Sequence, residues 1–327
     1  MTDRRRQLLA VLADGEFHSG QRLADIAGVT RAAVWKQVGQ LDALGLEIER
    51  VRGRGYRLAA PLQLLQEDAI NARLDAAARG IPVRVQVLFE TGSTNQYLLD
   101  DATAEALHGR ALLAEYQSAG RGRGMNRWLS APASGLCLSL GWHYESIPDS
   151  LTALSLATGV VLTRVLQQAG CAQARLKWPN DVVVEGAKLA GILIESRAQG
   201  AGPCDVVIGI GINVRLQAAL ERSLDRNVTD LQRLLPARVP ARNDLAAALI
   251  NALVGMLHGY QRDGFAAYRE QWQALDYSAG KQAELLQQGR CSRGRVLGID
   301  DNGLLLMQVD GATRRYSSGE LSLRVLE

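Results

Sequence analysis

Within the first sixty residues, two short amphipathic segments meet across a single glycine, and each is opened by a hydroxyl side chain, which leaves few folds open. Residues 4–13 carry Leu8, Leu9, Val11 and Leu12 at helical spacing and stop at Asp14-Gly15. Ser19 can cap a second helix over 21–27, with Leu23, Ala24 and Ile26 facing inward and Gly28 ending it in a left-handed turn. Thr30 can cap a third, from Arg31 to about Leu44. Residues 47–51 then alternate charged and apolar side chains, Arg52-Gly53-Arg54-Gly55 supplies a turn, and 56–59 reads as a second strand. Helix, glycine turn, helix and basic hairpin in that order describe a winged helix-turn-helix.

In that fold the third helix enters the major groove and the hairpin reaches phosphates or the minor groove. The expected DNA-facing set is Gly20, Gln21, Thr30, Arg31, Lys36 and Gln37 on the helices, with Arg52 and Arg54 at the hairpin tip. The alternative, that these are solvated surface charges, stays open at this point. Trp35 is expected in core or edge packing. Residues 1–60 hold ten Lys/Arg against seven Asp/Glu, so they carry the whole net charge of +3. That asymmetry is mild, and it gains meaning only from the motif.

At 327 residues the chain exceeds what one core usually holds, about 250 to 300 residues, so several domains are expected. It has no uninterrupted apolar run near the ~18 residues of a membrane-spanning helix. Arg4-Arg5-Arg6 and the apolar residues after it imitate a signal peptide, but Asp14 and Glu16 cut the run short. The four cysteines, Cys137, Cys171, Cys204 and Cys291, are far apart and form no Cys-x-x-Cys pair. Buried thiols in a reducing cytoplasm fit that spacing.

After Pro61, a helix is expected over 68–78 and a strand over 83–89. The polar turn Thr91-Gly92-Ser93-Thr94-Asn95 then opens a helix running towards Leu107, with Ser93 or Thr94 as its cap. Strands are expected at 111–116 and 136–142, with a long helix from Ser150 to Ala169. Four more extended segments follow at 174–177, 182–185, 188–195 and 205–213, the middle pair joined by a Gly186-Ala187 turn. Strands joined by tight turns, with helices between others, predict a mixed α+β sheet rather than a doubly wound one. Helices over 243–257 and 265–275 precede five short strands after residue 277, read as a small closed β domain. The expected domains are 1–64, 65–276 and 277–327.

Gly120-Arg121-Gly122-Arg123-Gly124 follows a strand, and its alternation is chemically specific. Glycine lets backbone N–H groups approach an anion, and arginine offers forked donors to phosphate or carboxylate. The loop lacks the Gly-Lys-Ser/Thr ending of a Walker loop. Read alone, it is equally a flexible basic loop or a second nucleic-acid contact. Lys177-Trp178-Pro179-Asn180-Asp181 places polar residues at a strand junction, and Lys188 opens an otherwise apolar strand where its amine can reach a buried carboxylate.

With these segments in order, the chain resembles the biotin protein ligases, specifically the bacterial bifunctional kind that doubles as biotin operon repressor. The resemblance runs nearly end to end. It is carried by Ser93-Thr94-Asn95-Gln96, Ala114-Glu115-Tyr116-Gln117 leading into 120–123, 177–181, Lys188-Leu189-Ala190-Gly191-Ile192-Leu193, 209–213 and Ser318-Gly319-Glu320. It implies a class II synthetase-like catalytic domain and an SH3-like C-terminal β-barrel. It also implies ATP and biotin as substrates with Mg2+, a biotin carboxyl carrier protein domain of acetyl-CoA carboxylase as acceptor, operator DNA as partner, and a homodimer promoted by biotinyl-AMP.

By the same resemblance, Ser93, Thr94, Asn95 and Gln117 would hold the biotin ring, while Arg121, Gly122 and Arg123 would cover its tail and the adenylate phosphate. Lys188 would bridge biotin's carboxylate and the α-phosphate. Gly120, Lys177, Asn180 and Asn213 would complete the ATP site, and Asp181 would be a catalytic or magnesium-binding carboxylate. The chain departs from the family where Met125-Asn126 replaces the Gly-Arg that usually continues the loop, and residues 215–229 lack an aromatic to stack on adenine, implying an aliphatic lid. A repressor with a dead catalytic core, or a lipoate-attaching enzyme, are the alternatives.

Overall fold

The computed structural model describes residues 2–75, 80–101, 107–148, 151–198, 202–222, 224, 227–287, 290–318 and 321–326. The N-terminal unit forms from local signals. Helix α1 (Thr2–Leu12) precedes α2 (Gly20–Ala27), whose first turn is capped by Ser19 through the Arg22 N–H and whose end is Gly28 at φ 60°. Thr30 caps α3 (Arg31–Ala43) through Ala33. Strands β1 (Ile48–Val51) and β2 (Gly55–Leu58) pair antiparallel as the wing. Two expectations fail here: Ile26 is 46% exposed, and Trp35 is 67% exposed instead of packed. Val34, Val38 and Leu41 already fill the inward stripe of α3, and Trp35 stands on the other side of the helix.

Seven strands build the central sheet: β3 (Arg84–Thr91), β4 (Arg110–Gln117), β5 (Gly135–Tyr144), β6 (Arg175–Lys177), β7 (Asp181–Val184), β8 (Ala187–Ala198) and β9 (Cys204–Asn213). Their order is β3-β4-β5-β9-β8-β7-β6, with β3 and β4 parallel and all other neighbours antiparallel, the mixed sheet that was expected. The turn between β7 and β8 is Glu185-Gly186, both at positive φ, and Ala187 already belongs to the strand.

Helix α4 is shorter than expected, Glu67–Asn71, and the end of the expected segment, 76–78, lies outside the described residues. The helix after the polar turn, α5 (Thr94–Asp101), packs on β4, β5 and β9; residues 102–106 again lie outside. The long helix is α6 (Leu154–Gln168), and 149–150 lie outside. After the short α7 (Ala218–Arg222) and α8 (Leu231–Leu234) come α9 (Arg242–Asp263) and α10 (Ala266–Leu275). Helices α6 and α9 share one apolar core with alternate residues of β5 and β9, from Leu136 to Tyr144 and from Val206 to Ile212.

The C-terminal unit is a five-stranded antiparallel sheet of β10 (Gln282–Gln287), β11 (Arg290–Ile299), β12 (Leu305–Val309), β13 (Ala312–Tyr316) and β14 (Leu321–Val325). Its order is β13-β12-β11-β10-β14. Trp178, buried behind β6, donates its indole N–H to the Gly303 carbonyl at 3.1 Å and joins this unit to the central sheet. Gly319 and Glu320 lie outside the described residues. Cys137, Cys171 and Cys204 are buried as expected, whereas Cys291 is exposed, because its strand lies in this small sheet and not in the large core.

The segment that leaves the N-terminal unit is anchored on a buried ion pair of the central unit. Arg242, on α9, lies 2.8 Å from Glu115 of β4, both nearly sealed from solvent at 4% and 3% side-chain exposure. Its guanidinium also donates to the Gly135 and Gln63 carbonyls, while Glu115 accepts the Leu65 N–H. Removing one partner strands a buried charge, so Arg242→Ala is expected to destabilise the protein by about 3 to 5 kcal/mol, read from urea unfolding.

A second buried charge sits where α10 ends. Asp276 accepts the Ser278 N–H, its other oxygen is buried, and burial pushes its pKa up to about 6 against the opposing pull of the Ser278 and Ala279 N–H groups. A carboxyl whose folded pKa is raised retains a proton that the unfolded chain has released. Stability therefore falls as pH rises from about 4 to about 6, by up to about 3 kcal/mol. Asp276→Asn is expected to remove that slope and to exceed the parent in stability above pH ~6, with the difference shrinking as pH falls from about 6 to about 4, read from urea unfolding.

Candidate functional site

The face of the sheet opposite α6 and α9 supplies a floor that is small by design. Cross-strand register aligns Gly191, Gly211 and Cys137 in one row and Leu193, Gly209 and Ser139 in the next. A methyl group on Gly211 would lie 2.3 Å from the Trp128 indole, and one on Gly209 would lie 2.4 Å from Asn95 Oδ1. Glycine is required at both positions because a side chain from a different element rests directly on the strand.

Asn95 is fixed from three sides. Its Nδ2 donates to the Leu193 carbonyl at 3.1 Å and to Glu195 at 3.0 Å, and its Oδ1 lies 2.6 Å from Ser139 Oγ. Thr94 gives both its N–H, at 2.8 Å, and its hydroxyl, at 3.1 Å, to Gln117 Oε1, so its side chain holds β4 against α5. Ser139 Oγ also lies 2.7 Å from the Thr94 hydroxyl. Ser93, Thr94, Asn95 and Gln117 are therefore one buried polar cluster at the end of the cavity.

The Gly-Arg loop is a hairpin over this floor. Gly120 accepts the Trp128 N–H, Arg121 bridges to Arg127, and Gly122 donates to the Asn126 carbonyl at 2.8 Å. Asn126, at the point where the chain departs from the family pattern, closes the turn by giving its side-chain amide to the Arg123 carbonyl at 2.9 Å. Gly124 takes φ 62° in that turn, and Met125 is fully exposed at its tip. Arg121 is tied down by an ion pair with Glu195 and a hydrogen bond to Gln96 at 2.8 Å.

At the other end, Lys188 donates to Asp181 at 2.5 Å, its ammonium 5.9 Å from the centre of the Trp128 ring. Burial lowers the pKa of Lys177, with Asp181 opposing and Lys188 reinforcing the shift; burial also lowers that of Arg123, again opposed by Asp181. Asp181 is thus the counter-charge that Arg123, Lys177 and Lys188 all feel. Asn180 caps the strand edge through the Ile192 carbonyl at 2.7 Å. Asn213 bonds the carbonyls of Lys188 and Thr229 and thereby holds the segment after residue 226 against β8.

These walls enclose a cavity of about 580 Å³. Among the described residues, five cations line it, Arg121, Arg123, Arg127, Lys177 and Lys188, against one lining carboxylate, Asp181, with Glu195 behind Arg121. Leu224 contributes an aliphatic side chain from the expected lid, while residues 223 and 225–226 lie outside the described residues. A single carboxylate already paired to an ammonium does not fit a protein-held magnesium, which takes near-octahedral oxygen ligands. Among the described residues no group of three or more His, Cys, Asp or Glu could hold a metal ion.

Trp128, Ser139 and Glu195 complete the site, and sequence reasoning missed all three. Ser139 was signalled by a hydroxyl inside an otherwise apolar strand, and Trp128 by the alternate glycines of β9, which leave room for something large. On the winged helix, Arg31, Lys36, Arg52 and Arg54 are exposed, and Arg54 lies over the Phe17 ring at 4.0 Å. Gln21 reaches Asp25 at 2.8 Å, Gly20 opens α2, Thr30 is spent on its cap, and Gln37 is half-buried with its Oε1 turned away from solvent.

Residues 89–213 match the biotin/lipoate A/B protein ligase family, and residues 4–57 match a helix-turn-helix domain. The bifunctional ligase/repressor BirA of Escherichia coli is 38% identical over 98% of this chain and 97% of its own. That of Bacillus subtilis is 30% identical over 95% of each. A biotin protein ligase from Aquifex aeolicus, solved with biotin and ATP, superposes with a TM-score of 0.65 at 25% identity, covering 74% of this chain and 99% of that one. Similarity of that extent, spanning both the helix-turn-helix and the ligase segments, places this chain in the family of bifunctional biotin ligase/repressors.

Proposed function

We propose that the chain activates biotin with ATP and transfers it to a lysine of a biotin carboxyl carrier protein domain, that of acetyl-CoA carboxylase, and that it represses biotin-synthesis genes. The observation that carries the enzymatic half is the cavity lining, five cations against one carboxylate beside a buried polar cluster. Such a site accepts a neutral ring at one end and several negative charges at the other. Biotin's carboxylate attacks the α-phosphorus of ATP, forming biotinyl-5'-AMP and releasing pyrophosphate. The carrier lysine amine then attacks the mixed anhydride, forming the amide and releasing AMP.

Biotin's carboxylate is ionised at neutral pH, so the first step calls for charge neutralisation and positioning more than for a base. In this reading Ser93, Thr94, Asn95 and Gln117 receive the ring, and Arg121, Gly122 and Arg123 lie over the tail and the phosphate. Lys188 leaves Asp181 to bridge the two anions, while Gly120, Lys177, Asn180 and Asn213 line the nucleotide end. Magnesium enters as the counter-ion of the ATP phosphates. The domain limits of this reading are 1–64, 65–276 and 277–327.

For repression, a homodimer promoted by biotinyl-AMP presents two winged helices to a two-fold operator, reading through Gly20, Gln21, Thr30, Arg31, Lys36, Gln37, Arg52 and Arg54. The protein acts in the cytoplasm; among the described residues no helix is long and apolar enough to cross a membrane.

Biotin-dependent exchange of labelled pyrophosphate into ATP tests the first step. Exchange with biotin is expected; its absence leaves a repressor with a dead core, and turnover on lipoate alone reassigns the substrate. Lys188→Ala is expected to lower that exchange by at least about a hundred-fold while thermal unfolding stays unchanged. Arg31→Ala and Arg54→Ala are expected to weaken operator binding in a mobility-shift assay and to leave exchange at the parent rate.

A further inference from the structure

Trp35 is a large apolar side chain that nothing in its own unit covers. It is 67% exposed on α3, the helix that the winged fold presents outward. Its neighbours along that face are small: Ala32 is exposed one turn before it, and around Gly39, one turn after it, a methyl group would meet nothing within 4 Å. The indole therefore projects between two low points of the helix surface. Arg31, one turn before it, and Lys36, next to it in sequence, are exposed on the same helix, and Arg52 and Arg54 are exposed at the wing of the same unit. Arg54 is steadied on the Phe17 ring, which also lies 4.7 Å from the Arg57 guanidinium.

An apolar projection on a helix that also exposes Arg31 and Lys36 suits a surface with an anionic rim and an apolar spot on its floor. The major groove of duplex DNA is such a surface, with phosphates along both edges and the thymine C5-methyl group as its apolar feature. A second copy of this chain suits it less, because a two-fold contact through this face would bring Arg31 and Lys36 of both copies together.

We infer that Trp35 is a specificity-determining residue of the repressor, packing its indole against a thymine methyl in each half-site. Arg31, Lys36 and the wing arginines supply phosphate affinity that is blind to sequence, and Trp35 supplies selection for thymine at one position. Burying one methyl against the ring corresponds to about a four-fold ratio of affinities. The inference rests on the repressor reading above and adds a base contact to it.

The test is selection of binding sites from random duplexes by the full-length parent and by Trp35→Ala, both with biotin and ATP. The selected site is then compared with duplexes in which single thymines are replaced by uracil, which lacks only the methyl. One thymine per half-site is expected to matter: uracil there weakens the parent about four-fold and leaves Trp35→Ala unaffected. Trp35→Phe should retain part of the preference, and pyrophosphate exchange should be equal in all three proteins. The inference is overturned if Trp35→Ala selects the same base at every position, or if uracil costs both proteins equally. It is also overturned if Trp35→Ala dimerises less with biotin and ATP in sedimentation, which would make the indole a contact between copies. Failure of the parent itself to select any sequence would overturn the repressor reading instead.

Discussion

Arg242 and Glu115 form the joint on which the other parts of the molecule are hung. Two opposite charges removed from water are stable together only with further hydrogen bonds to them, and here the segment leaving the winged helix supplies two of these and β5 the rest. The carbonyl of Gln63, the N–H of Leu65 and the carbonyl of Gly135 all close on this pair. Asn243, the next residue of the helix, bonds Leu64 and Gln66 in the same way. The connection between the DNA-facing unit and the sheet is therefore a ribbon stapled to α9. Glu115 stands two residues before Gln117, and Gly135 pairs with Asn213, so the staple and the ligand cavity share two strands.

The walls of the cavity are held by bonds within the protein. Hydrogen bonds fix Thr94, Asn95 and Gln117 in place, and alternate glycines let Asn95 and Trp128 sit directly on β9. The cations are arranged differently. Each of Arg121 and Lys188 is held by a carboxylate, Glu195 and Asp181 respectively. The polar cluster is thus bonded to backbone and neutral side chains, whereas the cations at the other end are bonded to carboxylates.

What the sequence disclosed was local or carried by several motifs in order. The winged helix was readable because Ser19, Gly28 and Thr30 are adjacent signals that act within one turn. The Gly-Arg loop was ambiguous alone, and only its company, Gln117, residues 177–181 and Lys188, gave it a meaning. Hidden features all depend on where a remote element lands. Trp35 could be judged exposed only after Val34, Val38 and Leu41 were seen to fill the core. Trp128 and Glu195 act across the sheet, and no spacing near them announces it. Met125-Asn126 looked like a defect in the loop, yet Asn126 closes its turn.

Phe89 belongs to β3, yet it is buried in the apolar core of the winged helix alongside Leu8, Leu12 and Leu58, and next to it Glu90 pairs with Arg5. The two units thus share a residue in the way that two rooms share a wall. Four positions further along the same chain stands Ser93, in the buried polar cluster that lines the cavity. In evolutionary terms the DNA reader is no detachable accessory: a lineage that discards it inherits an apolar ring facing water at position 89 and must rewrite the catalytic domain as well.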